Sequence, residues 1–143
     1  MKKRNDRQGA IRDIVRNEGV RTQRDLVDRL HERGFACTQA TVSRDIGEMG
    51  LRKLPEGVYV LAEDLHLQRM VHDLVTDVRR AGNLVVIRAS SGTAQGVAAA
   101  LDSADLPDIL GSVAGDDTIL AVAATEEDGA AFEGMINRLK GNV

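Results

Sequence analysis

Cysteine is almost missing from this chain: Cys37 stands alone, so no intramolecular disulfide can form, and its lone thiol fits a reducing cytoplasm. Nor is a metal site expected. His31, His66 and His72 have no ligand spacing, and no second thiol exists to join them. No stretch approaches the ~20 apolar residues of a membrane span, so no membrane partner is expected. The opening MKKRNDRQ lacks an apolar run behind its basic residues, which speaks against a signal peptide. Aromatic residues are scarce, and only Phe132 lies in the second half. Positive charge is also short overall, with a formal net charge of −3. That sum hides an asymmetry. Residues 1–60 hold 13 Lys/Arg against 9 Asp/Glu, whereas residues 61–143 hold 6 against 13. The most basic piece is residues 1–24, with eight basic and three acidic side chains. A basic half attracts phosphate, and an acidic half suits a cationic ligand.

The segment Thr38 to Leu51, TQATVSRDIGEMGL, is the most informative part of what is present. Val42, Ile46 and Met49 recur at i, i+4 and i+7, one stripe of a helix. Ala40, Ser43, Arg44 and Gly47 fall on the other side. That face is flat and carries donors, which suits a helix pressed into the major groove with a guanidinium forked onto guanine. The plainer reading is a surface helix with an incidental arginine. Upstream, Ala10, Ile11, Ile14 and Val15 mark a helix over Arg7 to Glu18 that stops at Gly19. Thr22 precedes Asp25 by three, a capping-box variant, and Leu26, Val27 and Leu30 follow on one face. Gly34 closes that helix, Phe35 to Cys37 form a short loop, Thr38 is the next N-cap, and Gly50 is the stop. Three helices with a tight second connection predict a helix-turn-helix. Its base-reading candidates are Gln39, Thr41, Ser43 and Arg44. Leu51 to Leu54 and Gly57 to Leu61 flank the turn Pro55-Glu56-Gly57 and predict a hairpin, hence a winged helix. Arg52 and Lys53 on its first strand either touch phosphate or guard a solvated edge.

The second half predicts alternating elements. Leu67, Met70, Val71, Leu74, Val75 and Val78 give an amphipathic helix ending near Gly82. Leu84 to Ala89 is a strand, Ser90-Ser91-Gly92 a loop, and Thr93 to Leu101 a helix. Ile109 to Ala114 and Thr118 to Ala124 are strands around Gly115-Asp116-Asp117, and Asp128 to Lys140 is the final helix. The expected fold is therefore α/β in the α+β sense: a winged helix-turn-helix over residues 1–64, then a small αβαββα two-layer domain over residues 67–143. A domain this small, rich in Ala, Val and Gly, is expected to complete its core by self-association. Asp116 and Asp117 are either ordinary hairpin residues or ligands. Asp102 ends a helix, where an anion opposes the macrodipole, and Gln95 lies two turns before it on nearly the same face. Together these four suit a small polycationic molecule such as a basic amino acid.

These motifs resemble the bacterial arginine repressor family over essentially the whole chain. The resemblance rests on Thr41-Val42-Ser43-Arg44-Asp45, on GTAQGVAAALD (Gly92 to Asp102) and on ILGSVAGDDTIL (Ile109 to Leu120). It implies a transcription factor that takes L-arginine as co-repressor. The C-terminal domains would form trimers that pair into a homo-hexamer with arginine between the trimers. The hexamer would bind palindromic double-stranded operators, repressing arginine biosynthesis genes and in some cases activating catabolic ones. By motif, Ser43 and Arg44 would contact DNA with Gln39 helping. Gln95, Asp102, Asp116 and Asp117 would contact arginine, with Ser112 and Ala114 lining the site. Two departures touch the pocket rim: Ala89-Ser90-Ser91 stands where relatives carry Thr-x-Gly or Thr-Pro-Gly, and Ser112 where Thr is common. An enzyme acting on arginine is disfavoured, because the candidates include no nucleophile–base pair. An architectural or recombination accessory protein would use the same DNA-binding helix and stays open as an alternative.

Overall fold

The computed structural model describes residues 4–141, so Lys2 and Lys3 of the basic N-terminal piece lie outside the described residues. The chain divides into two compact units, Met1–Ala62 and Glu63–Val143.

The first unit is three helices and a hairpin. Helix α1 spans Arg4–Asn17 and buries Ile11, Ile14 and Val15, the stripe that its 3.6-residue period dictates. Gly19 then turns the chain with φ 75°. In α2 (Gln23–Glu32) the Thr22 hydroxyl accepts from the Asp25 N–H at 3.0 Å, satisfying one otherwise orphaned donor. Helix α3 (Gln39–Met49) is bounded at both ends: Thr38 accepts from the Thr41 N–H at 3.2 Å, and Gly50 ends it in the left-handed conformation. The His31 ring bonds the Cys37 carbonyl at 2.8 Å and tethers the α2–α3 connection. Strands β1 (Arg52–Lys53) and β2 (Tyr59–Val60) pair antiparallel. The Tyr59 N–H donates to the Val20 carbonyl at 2.9 Å, which ties the hairpin to the helices.

The second unit corrects one expectation. Helix α4 is Leu65–Leu74 only, and Val75–Ala81 is a strand, β3. The order is therefore αββαββα, with a further strand that the expected αβαββα lacked. The misreading has a physical source. A bulge at Val75–Asp77 pairs Val75 with Ala89 and Val78 with Ile87, so residues three apart reach the same buried face. That spacing imitates a helical stripe. Val75, Thr76 and Val78 are β-branched, and Gly82-Asn83 makes a two-residue hairpin loop between the paired Ala81 and Leu84, with Gly82 at φ 63°.

After β4 (Leu84–Ala89) come α5 (Ala94–Ser103), β5 (Ile109–Ala114), β6 (Thr118–Ala123) and α6 (Glu126–Lys140). The sheet is antiparallel in the order β3-β4-β6-β5, so β5 is an edge strand. Helices α4, α5 and α6 cover one face of it. There Val85, Ile87, Ile119, Ala121 and Ala123 are buried with Val97 and Ile136. No helix covers the other face, which is apolar toward β5 and β6 and charged toward β3. There Val86, Leu120 and Val122 are half-buried, Val113 is 69% and Leu84 37% exposed, and Arg79, Asp77 and Arg88 share the face through the pairs Arg79–Val86 and Asp77–Arg88. Gly129 lets α6 approach the hairpin, because a Cβ there would stand 3.0 Å from the Gly82 carbonyl oxygen.

Candidate nucleic-acid interface and acidic site

Helix α3 presents Gln39, Ala40, Ser43, Arg44, Gly47 and Glu48 to solvent, while Val42 is fully buried and Ile46 half-buried. A Cβ at Gly47 would meet nothing within 4 Å, so the middle of this face is open. Thr41 is half-buried, and its hydroxyl bonds that of Thr38 at 3.0 Å, which makes it part of the cap as well as a candidate for bases.

The count of arginines overstates the charge available to phosphate. Arg7 grips Asp45 through two bonds, Nε to Oδ2 at 2.5 Å and Nη2 to Oδ1 at 3.0 Å. Arg4 pairs with Glu48 at 2.6 Å, and Arg29 with Glu18 at 2.9 Å and Asp25 at 3.1 Å. Arg33 pairs with Asp13 and Glu18. Arg24, Arg44 and Arg52 meet no carboxylate among the described residues. Lys53 lies over the Tyr59 ring, 5.5 Å from its centroid. Arg21 donates to the Glu56 carbonyl at 3.0 Å and so fixes the hairpin turn.

Asp45 closes the motif Thr41-Val42-Ser43-Arg44-Asp45, yet the sequence pattern alone assigns it no role. It is only 2% exposed, although it follows Arg44 on the base-reading candidate helix. Burial pushes its carboxyl up, but hydrogen bonds from Arg7 and Gln8 and the Arg7 charge outweigh this and hold it below its ordinary value. The signal was available, since Asp45 falls between Val42 and Ile46 on the inward stripe. Burial likewise pushes the Cys37 thiol up, which makes it less reactive.

The acidic candidates of the second unit fall into two groups along β5. At one end, the Gln95 amide donates to the Ala114 carbonyl at 3.0 Å. The Asp116 carbonyl accepts from the Gly92 N–H at 3.1 Å and the Ala94 N–H at 3.2 Å, so the turn after β5 sits on the loop opening α5. The neighbouring Asp117 carbonyl accepts from Ala89 at 2.7 Å. Its carboxylate accepts from the Thr118 hydroxyl at 2.9 Å and lies 3.7 Å from the Arg88 guanidinium. The two side chains thus diverge, Asp116 beside Gly92 and Asp117 beside Arg88. At the other end, Asp102 and Ser112 line an open pocket of about 170 Å³ with Leu106, Ile109, Gly111 and Ala121. Asp105 lines it too, in the left-handed conformation at φ 52°, and nothing in the sequence pattern singled it out. Of the six candidates, Asp102 and Ser112 line this pocket, and Gln95, Ala114, Asp116 and Asp117 do not.

Among the described residues no group of three or more His, Cys, Asp or Glu is placed to hold a metal, and no helix is long and apolar enough to cross a membrane.

Two family models match. The arginine repressor DNA-binding domain matches residues 1–67, and the arginine repressor C-terminal domain matches residues 71–138. An arginine repressor of Thermus thermophilus is 48% identical over 139 residues, spanning 90% of this chain and 85% of its own. One of Heliobacterium modesticaldum is 43% identical over 146 residues, spanning 94% and 95%. One of Deinococcus radiodurans is 41% identical over 147 residues, spanning 95% and 94%. With both halves matched in order, this chain belongs to the arginine repressor family of DNA-binding transcriptional regulators.

Proposed function

We propose that this chain is an arginine-responsive regulator that represses arginine biosynthesis genes in the cytoplasm. Residues 1–64 act as a winged helix on palindromic operators, and residues 67–143 bind L-arginine and assemble the hexamer. The observation that carries the reading is the solvent face of α3, where Arg44 meets no carboxylate among the described residues and is flanked by Ala40, Ser43 and Gly47. Ser43 and Arg44 read base edges there, with Gln39 and Thr41 at the helix start and Arg52 on phosphate.

In the second unit, Gln95, Asp102, Ser112, Ala114, Asp116 and Asp117 serve arginine. Their division into two groups along β5 supports a ligand shared between subunits. The uncovered apolar face of Val86, Leu120, Val122 and Val113 supports self-association. Carboxylates brought together across a subunit boundary repel one another. Arginine cancels that repulsion and stabilises the assembled state through its greater affinity for it. An assembly holding several winged helices then gains operator affinity through effective concentration.

The test is retardation of a palindromic operator duplex by the full chain, with and without L-arginine. The expected result is sequence-specific binding that tightens with arginine. Binding to any duplex, indifferent to arginine, would overturn the reading and favour an architectural role.

A further inference from the structure

We infer that Asp45 is the positioning residue of the recognition helix, locked by Arg7 and Gln8 of α1 so that Ser43 and Arg44 meet base edges at a fixed rotation. The inference rests on reading α3 as the helix that enters the groove.

The apolar grip on α3 is thin. Val42 is its one fully buried apolar side chain, and Ile46 and Met49 are half-buried. Apolar contacts are non-directional and tolerate rotation about the helix axis. The polar contacts are directional. Arg7 holds both oxygens of Asp45 in a fork, and the Gln8 amide bridges Asp45 Oδ1 at 3.0 Å and Glu48 Oε2 at 2.9 Å. Arg4 adds a bond to Glu48 at 2.6 Å. Asp45 and Glu48 are three residues apart, so α1 holds α3 at two points about one turn apart, against both rotation and sliding. A rotation of about 20° moves a side-chain tip ~6 Å from the axis by about 2 Å. That displacement exceeds the whole range of a good hydrogen-bond length. A buried ion pair commonly adds little stability over well-packed apolar residues. The use that fits this one is geometric.

The experiment replaces the lock by apolar residues in the full chain: Arg7→Met with Asp45→Leu. A palindromic duplex selected by the wild-type protein from a random library serves as operator, with a scrambled duplex as control. Thermal melting monitors the fold, and Asp45→Asn and Arg44→Ala are measured alongside. The double variant is expected to melt at or above the wild-type temperature and to bind scrambled duplex within about two-fold of wild type. It should lose operator preference by ten-fold or more, and Asp45→Asn should lose preference in the same direction. A double variant with wild-type operator preference would overturn the inference, leaving Asp45 a structural residue. If Arg44→Ala itself leaves operator affinity unchanged, the reading of α3 fails instead.

Discussion

Asparagine at position 117 keeps the size and turn propensity of aspartate and removes its charge, so it separates a turn from a ligand site. The intrachain cost follows from the contacts. The Ala89 N–H bonds the position 117 carbonyl at 2.7 Å whatever the side chain, and an asparagine oxygen still accepts from the Thr118 hydroxyl. What is lost is the Arg88 ion pair at 3.7 Å, whose side chains are 55% and 46% exposed. Exposed pairs contribute roughly 0.2–1 kcal/mol, so the urea midpoint should barely move. Arginine binding should respond far more. A charge-assisted bond to guanidinium or ammonium contributes roughly 1.5–3 kcal/mol, equivalent to about ten- to a hundred-fold in affinity. Calorimetry of the full chain with L-arginine reads this directly. The structure adds a contrast between the two aspartates. Arg88 partly neutralises Asp117, whereas Asp116 has no cationic partner among the described residues. Asp116→Asn should therefore relieve more repulsion in the arginine-free assembly, and that assembly should dissociate less readily on dilution than the Asp117→Asn one. Unchanged arginine affinity in both variants would refute the ligand reading and leave Gly115-Asp116-Asp117-Thr118 a turn.

Three further outcomes are expected. Arg44→Ala should cost on the order of 1–3 kcal/mol per base contact in operator binding while arginine binding survives, read by footprinting and calorimetry. Gly129→Ala should destabilise the second unit by about 1–3 kcal/mol in urea, because its methyl would press on the Gly82 carbonyl 3.0 Å away and on backbone that cannot swing aside. The Asp45 carboxyl is held below its ordinary value in the folded chain. Its contribution is therefore complete above the unfolded value of about 3.9 and is lost as pH falls through the folded one. Urea midpoints taken from pH 5 downward should fall more steeply in wild type than in Asp45→Asn, and parallel slopes would show that the pair is not coupled to folding.

What could be read from sequence was what local chemistry fixes. Thr38 and Gly50 bound α3 because a hydroxyl cap and a left-handed glycine are local solutions to orphaned backbone groups. Ile109–Ala114 and Thr118–Ala123 were legible because their turn residues sit between two β-prone runs. Strand β3 was not, because a bulge placed Val75 and Val78 on one face at helical spacing, and a bulge is decided by the partner strand. The Gly82-Asn83 pair, a two-residue hairpin loop, is the local signal in the sequence that marks this segment as strand. Asp45 was hidden for a different reason. A carboxylate on an inward stripe reads as an exception until its partner is known, and Arg7 lies 38 residues away.

The same limit governs the acidic site. That Gln95 meets Ala114 while Asp102 faces Ser112 depends on α5 running back along an edge strand, and edge position is a property of the whole sheet. One feature of the sequence nevertheless reaches beyond the single chain. The run Leu84–Ala89 is apolar at Leu84, Val85, Val86 and Ile87 with no alternation, the pattern of a strand buried on both faces. In the isolated chain only Val85 and Ile87 are fully covered, by helices, while Leu84 stays 37% exposed and Val86 half-buried. Val113 and Leu120, paired across β5 and β6, continue that uncovered face. A strand whose sequence suits two covered faces and has one covered in the single chain supports the proposed self-association. That support comes from β4 itself, separately from any residue that would touch arginine in the proposed assembly.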